Sequence, residues 1–242
     1  MRKLIFLISI AVVAGWSPAA FSQADVQPEA DRVLKAAHAY LSGLDSVAIK
    51  AVTSEETVYN DTHKLQFGGT LEMGIRRPSQ LFAVVHEDYS NRRMYLNGGT
   101  FTVFDEDVNV YAQTPAPGPL NEVFARLYAD HGIDSPGGEL FSGQAYELLV
   151  EHATRIVYVG MGNVNGTNCH HVAGILPDMD WQLWIRAEGD PELCKYVVTD
   201  RDVPLAPQFS ITFTEFEANA ELSDSQFDFQ PPVDAESIDF VK

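Results

Sequence analysis

Between His63 and Arg76 the side chains alternate without a break. Leu65, Phe67, Gly69, Leu71, Met73 and Ile75 fall on one face of an extended chain, and Lys64, Gln66, Gly68, Thr70, Glu72 and Arg76 on the other. A period of two over this length is the mark of a long half-buried strand in an antiparallel sheet. Turn signals then punctuate further strands. Arg77-Pro78-Ser79 turns the chain into Leu81–Tyr89. Asn97-Gly98-Gly99 is a hairpin signal between Arg93–Leu96 and Thr100–Asp105, and residues 105 to 109 turn into Val110–Gln113. A later series reads Arg155–Met161, Cys169–Leu176, Trp181–Ala187, Leu193–Arg201 and Gln208–Glu217, with turns at Gly162–Asn168, Pro177–Asp180 and Glu188–Pro191. A short C-terminal strand is expected at Phe227–Phe229.

Three helices interrupt this pattern. The first is expected over Pro28–Leu44, with Val33, Ala37, Tyr40, Leu41 and Leu44 on one face, acids Glu29 and Asp31 in the first turn, and Gly43 near the end. The second starts after Pro119 with the stripe Leu120, Val123, Phe124, Leu127 and Tyr128, and Gly132 closes it. The third lies near Gly138–Ala153 and carries Phe141, Ala145, Leu148 and Leu149. Pro115, Pro117 and Pro119 separate two strand-rich halves, but the cluster is short and reads as an internal connection. No Gly/Ser linker or repeat divides residues 25–242, which are expected to form one domain. So many antiparallel strands with three helices predict an α+β fold, one large curved antiparallel sheet with the helices over its concave face. An apolar concavity of this kind must be filled by helices, side chains or a ligand.

Residues 1–24 have the layout of an export signal. Arg2 and Lys3 precede an uncharged apolar run, Leu4 to Gly15, and Ser22-Gln23-Ala24 supplies a cleavage site after Ala24. The run is shorter than the ~20 residues that span a bilayer as a helix. The first cysteine is Cys169, so no thiol stands near the cleavage point to carry a lipid anchor. The expectation is a soluble periplasmic protein without a stable membrane anchor.

Charge and motifs narrow the function. The 242 residues carry 34 acids against 16 lysines and arginines, a net charge of −18. Phosphate backbones require the opposite sign, which argues against a nucleic-acid partner, and anionic lipid surfaces repel such a chain. No nucleophile elbow, phosphate loop or zinc-protease helix occurs. No catalytic residue, metal or cofactor is therefore expected. His170 and His171 are adjacent in a strand and point to opposite faces, so they do not share a metal. Asp105-x-Asp107-x-Asn109 resembles the start of a calcium loop, but Val110 and Ala116 stand where glycine and an acid are needed, and the segment reads as a hairpin turn.

Several of these segments resemble a family of predicted periplasmic proteins carrying domain of unknown function 2092. They are Ala30-Asp31-Arg32-Val33-Leu34 with Tyr40-Leu41, Arg76-Arg77-Pro78, Arg92-Arg93-Met94-Tyr95 with Gly98 to Asp105, Cys169-His170-His171, Asp180-Trp181-Gln182-Leu183-Trp184-Ile185, and Phe227-Asp228-Phe229-Gln230-Pro231-Pro232. The family in turn is similar to the superfamily of the lipoprotein carriers LolA and LolB and the lipid-binding lipoprotein LppX. That resemblance implies an unclosed half-barrel with a hydrophobic cavity under its helices, and a lipid or acyl chain as the ligand. It carries over no ligand-contacting residue.

The candidate cavity residues are accordingly Leu65, Phe67, Leu71, Met73, Phe101, Phe104, Phe124, Trp181, Leu183, Trp184, Tyr196, Phe209 and Phe213, with Arg92 and Arg93 as basic groups at the rim. An ordinary core is the competing account of the aromatics. Cys169 and Cys194 are candidates for a disulfide, favoured by an oxidising compartment. In a regular meander they start strands on either side of a third, about 9–10 Å apart. A bridge needs about 7 Å between Cα atoms, so it requires a bent strand end or a bulge. The expected partner is a hydrophobic small molecule or lipid. The alternative is an envelope protein docked on a module whose cavity is filled by its own side chains. Oligomeric state is not encoded in any feature of the chain.

Overall fold

The computed structural model describes residues 25–133 and 137–240; the export signal expected at residues 1–24 lies outside them. Strand β1 (Asp25–Val26) leads into helix α1 (Pro28–Ser42). Strands β2 (Ser46–Tyr59), β3 (His63–Arg76), β4 (Gln80–Glu87), β5 (Ser90–Asn97), β6 (Thr100–Asp105) and β7 (Val110–Pro115) follow. Next come helix α2 (Leu120–His131), a 3-10 turn at Gly138–Phe141 and helix α3 (Ala145–Val150). Strands β8 (Arg155–Val164), β9 (Thr167–Ile175), β10 (Met179–Arg186), β11 (Leu193–Asp200) and β12 (Gln208–Ala218) precede a 3-10 turn at Asp224–Gln226 and a last short strand, β13 (Glu236–Ile238).

The 13 strands among the described residues belong to one sheet, in the order β1-β8-β9-β10-β11-β12-β2-β3-β4-β5-β6-β7-β13. Two antiparallel meanders, β2–β7 and β8–β12, join where β12 pairs with β2. The sheet does not close on itself. Its edges are covered instead by two- and three-residue strands, β1 parallel to β8 and β13 parallel to β7. Very short edge strands leave little template for a foreign strand. These two parallel pairings depart from the all-antiparallel expectation.

Strand parity assigns the inner face. Ile49, Met73, Ala83, Met94, Val103 and Ala112 are consecutive cross-strand neighbours and form one row across β2 to β7. The sheet is strongly curled, because Phe209 and Ile211 of β12 line the same cavity as Met94 and Val103 of β5 and β6. Five strand steps would hold β12 and β6 about 24 Å apart in a flat sheet.

The helices follow the expected stripes, except that the third helix is broken, Leu148 is exposed, and Tyr128, expected on the α2 stripe, is also exposed, because it lies at the edge of the face that Leu120, Val123 and Leu127 bury. Helix α1 buries Ala30, Val33, Leu34, Ala37 and Leu41. At its end the Gly43 N–H reaches the Tyr40 and Leu41 carbonyls, and the Arg77 guanidinium donates to the carbonyls of Leu41 at 3.2 Å and, just past the helix, of Leu44 at 3.0 Å. Helix α2 ends where Gly132 takes φ 65°, the left-handed cap that glycine adopts without a Cβ penalty. The single helix expected over Gly138–Ala153 is two pieces, broken at Ser142-Gly143, where Gly143 has φ 85°. Leu148, placed on the buried stripe by its spacing, is exposed, while Phe141 and Leu149 are buried.

The expected strand at Phe227–Phe229 is instead a strap that crosses the outer face. Phe227, fully buried, packs edge-on against Phe82 with ring centroids 5.7 Å apart and lies under the Arg76 guanidinium. Phe229 meets Tyr95, Phe104 and Tyr111 on β5, β6 and β7. Rings that dock on successive strands force the segment to run across the ladder rather than along it.

Candidate functional site

The concave face is divided into a plugged half and an open half. Over β8–β11, α1, α3 and the 3-10 turn at 138–141 merge with Ile156, Val172, Leu183 and Ile185 in one buried core. Over β2–β6 the covering is thinner. Helix α2 contributes Phe124 and Leu127, and a cavity of about 360 Å³ remains beneath them. Ile49, Leu71, Met73, Ala83, Met94 and Val103 form its floor, and Phe209, Ile211, Phe141, Ile133 and Phe240 close its sides. That volume lies in the range of small-molecule sites.

Along β2 to β5 the inner face changes from apolar to polar toward one end. On β4 the sequence is Leu81, Ala83, Val85, Glu87, and on β5 it is Leu96, Met94, Arg92. Thr53, Glu87 and Phe209 at this mouth also line a second, smaller groove of about 230 Å³, completed by Glu55, Thr57, Phe67, Gly68 and Tyr89. The Phe67 and Tyr89 rings meet edge to face with centroids 4.5 Å apart. The two spaces are therefore contiguous, an apolar trough opening onto an aromatic and acidic shelf.

Of the cavity residues expected from sequence, Leu71, Met73, Phe101, Phe124 and Phe209 line the trough, and Phe67 with Phe209 lines the shelf. The others do not, for identifiable reasons. Leu65 lies near the exposed tip of the β2–β3 hairpin and is 48% exposed. Phe104 has the opposite parity to Phe101 and packs outside against Phe229. Trp181 and Leu183 face inward on the plugged half, where the Trp181 indole Nε1 donates to the Leu149 carbonyl of α3 at 3.1 Å. Tyr196 is buried on the same side, close to the backbone at Gly137, and Phe213 is held edge-on by Phe141 at 6.1 Å. Trp184 points outward and stacks on His171 with centroids 4.0 Å apart.

The two rim arginines also part company, as neighbours in a strand must. Arg92 lines the trough mouth. Arg93 is on the outer face, paired with Glu106. Several lining positions had no sequence signal pointing to a site. Val85, Met94 and Val103 follow from parity with Leu81 and Phe101, once the hairpin register is known. Glu55 and Thr53 belong to β2, whose mixed polar pattern conceals a strand. Phe240 reaches the cavity from the C-terminal segment and stacks beside His131 at 4.7 Å.

Cys169 and Cys194 form a disulfide with Cα atoms 7.0 Å apart. Cys169 pairs with Arg186 at the end of β10. On the other side Trp184 pairs with Lys195 and Ile185 with Leu193, so Cys194 is the extra residue of a bulge. The bulge bends β11 toward β9 and supplies the approach that a regular ladder denies.

The fold recurs in solved structures of low identity. An uncharacterized conserved protein from Thermus thermophilus aligns with 87% of this chain and 99% of its own, at TM-score 0.51 and 10% identity. The lipoproteins LppX from Mycobacterium tuberculosis and LprF from Mycobacterium bovis each align with 81% of this chain and with 98% and 96% of their own, both at 14% identity, with TM-scores of 0.49 and 0.48. No curated protein matches the chain. The sequence profile of one family spans residues 30–241, almost the whole of the sheet and all three helices, and the chain belongs to that family, the predicted periplasmic proteins of DUF2092.

Proposed function

We propose that this is an exported, soluble periplasmic protein that binds or carries a hydrophobic ligand, a lipid or acyl chain, in the trough between β2–β6 and α2. One observation carries this reading: a cavity of about 360 Å³ whose floor and sides are mainly aliphatic and aromatic, left beneath α2 beside strands whose inner residues are buried under α1 and α3. An apolar void in a folded protein is costly unless something occupies it. An acyl chain gains ~0.8 kcal/mol for each methylene it buries, so a tail in this trough needs few polar contacts. The export signal expected at residues 1–24 and the family's description as predicted periplasmic support a location in which lipids in transit need an aqueous carrier.

The alternative reading, a protein-interaction module whose trough is filled from within, describes the β8–β11 half of the concave face but not the β2–β6 half. The discriminating experiment is organic-solvent extraction of protein purified without detergent, with mass spectrometry of the extract. Carriage predicts a lipid in near-stoichiometric amount. An empty extract, together with no binding from a panel of fatty acids and phospholipids, would contradict it.

A further inference from the structure

The shelf at the trough mouth carries three charged side chains that make no ion pair or hydrogen bond among the described residues. The other described lysines and arginines each make an ion pair, a hydrogen bond or a ring contact. Arg92, among the described residues, makes none of these. Glu55 and Glu87 are likewise free of ion pairs and hydrogen bonds among the described residues. All three stand on the inner face at the polar end of the strands, and all three line one of the two contiguous spaces. Asp105 stands across the strand from Arg92 and Asp107 attracts it, but the hydrogen-bonding capacity of all three side chains is left to a ligand.

The aromatics around the acids sharpen the chemistry. Glu55 is the direct cross-strand neighbour of Phe209 on one side and Phe67 on the other. With Tyr89 these rings and Glu87 surround the groove of about 230 Å³. Ring faces and carboxylates together are the standard recognition of an organic ammonium, whose charge is spread over carbon and sheds water at modest cost. Arg92 lies one step deeper, opposite Val85, where the apolar floor ends. A guanidinium there suits a phosphate, which it can hold through two parallel hydrogen bonds.

Resting on the reading of the trough as an acyl site, we infer that the mouth is a headgroup site for a zwitterionic amphiphile. Its ammonium sits on the shelf between Phe67, Tyr89 and Phe209 with Glu55 and Glu87, its phosphate is at Arg92, and its tail runs into the trough. A purely anionic headgroup is disfavoured, because it would meet Glu55 and Glu87 as well as Arg92. Phosphoethanolamine and phosphocholine heads share the required chemistry.

The test is binding, below the critical micelle concentration, of four probes with one common acyl chain. They are lysophosphatidylcholine, lysophosphatidylethanolamine, lysophosphatidylglycerol and monoacylglycerol, each titrated against the full-length protein. The expected result is one or both zwitterionic probes bound about tenfold more tightly than lysophosphatidylglycerol, a difference of about 1.4 kcal/mol. The variant Glu55→Gln/Glu87→Gln should abolish that preference. Arg92→Gln should remove the preference for zwitterionic probes over monoacylglycerol. Both sets of side chains are solvent-facing, and the readout in each variant is the order of the four affinities. Equal binding of all four probes, preference for lysophosphatidylglycerol, or variants that leave the order unchanged would overturn the headgroup site and leave the acyl site standing. Failure of monoacylglycerol to bind the unmodified protein would instead overturn the acyl site, and the headgroup site with it. Comparing the choline and ethanolamine probes identifies which ammonium the shelf accepts.

Discussion

The indole of Trp181 lies directly on the backbone of Gly174, its cross-strand neighbour on β9. A Cβ at position 174 would overlap the ring. The same ring donates from Nε1 to the Leu149 carbonyl, so the glycine sets the height at which α3 docks over the plugged half of the sheet. Trp181 is thus a spacer between the sheet and α3.

Gly174→Ala should therefore destabilise the fold. The added methyl must push the indole off the strand and lengthen the bond to Leu149. Overpacking of this kind costs about 1–3 kcal/mol, which urea denaturation would register. Because the trough lies over other strands, affinity for an acyl probe should be unchanged. Unaltered stability would contradict the assignment.

Arg77 ties the end of α1 to the start of β2 through two carbonyls, and burial pushes its guanidinium below the usual arginine value without a carboxylate beside it. Arg77→Met keeps the packing of the stem but removes the charged donor from both carbonyls, and only that of Leu41 retains a backbone N–H. Lost bonds from a charged donor predict a cost of about 1.5–3 kcal/mol, measurable as a lower denaturation midpoint with an unchanged denaturant slope. A change below a few tenths of a kcal/mol would show that solvent replaces the arginine.

The disulfide closes a loop over a sequence separation of 25. Loop-closure entropy makes it worth about 3 kcal/mol. Cys169→Ser/Cys194→Ser should lose that amount in equilibrium unfolding and yet retain ligand binding, since neither cysteine reaches the trough. Equal stability of the oxidised protein and the double variant would contradict the bond's structural role.

His171 gives the stability a pH dependence. Its ring is desolvated under Trp184, which lowers its pKa from the ordinary 6.5, while the hydrogen bond to Gln182 acts the other way. The fold thus favours the neutral imidazole. Its contribution is complete above the unfolded-state value and is lost as pH falls below about 6.5, where the unfolded chain takes up the proton first. His171→Gln should flatten the fall in unfolding free energy between pH 7 and pH 5. A steeper fall in the variant would reverse the assigned sign.

Sequence pattern reached the architecture more readily than the site. The alternation in β3, the Asn97-Gly98-Gly99 hairpin and the stripe on α2 are local, and local patterns mark elements well. Strand β2 is masked because Lys50, Ser54, Glu55 and Glu56 interrupt its apolar set; Lys50 is tolerated because it faces outward to Glu215 between buried Ile49 and Ala51, and the others because that end of the strand leaves the core for the mouth of the trough. The cavity list mixed two faces, since Phe101 and Phe104, or Trp181 and Trp184, are close in sequence but opposite in parity. It also mixed two halves. Trp181, Leu183, Tyr196 and Phe213 do face inward, but only the placement of α1, α3 and the turn at 138–141 decides that their half is filled. Which part of a concave face stays open depends on how helices pack across long sequence distances, and no periodicity encodes that.

The account turns on the open half of the trough as the place where an acyl chain lies. Val85 is half-buried on its floor, between the apolar interior and Arg92. The most direct measurement is titration of a fluorescent fatty acid into the unmodified protein and into Val85→Phe, whose ring would block the passage from mouth to floor. The account predicts saturable binding by the unmodified protein and at least about tenfold weaker binding by the variant, with thermal unfolding of the two within a few degrees. Equal affinities, with the variant folded, would place the ligand elsewhere and contradict it.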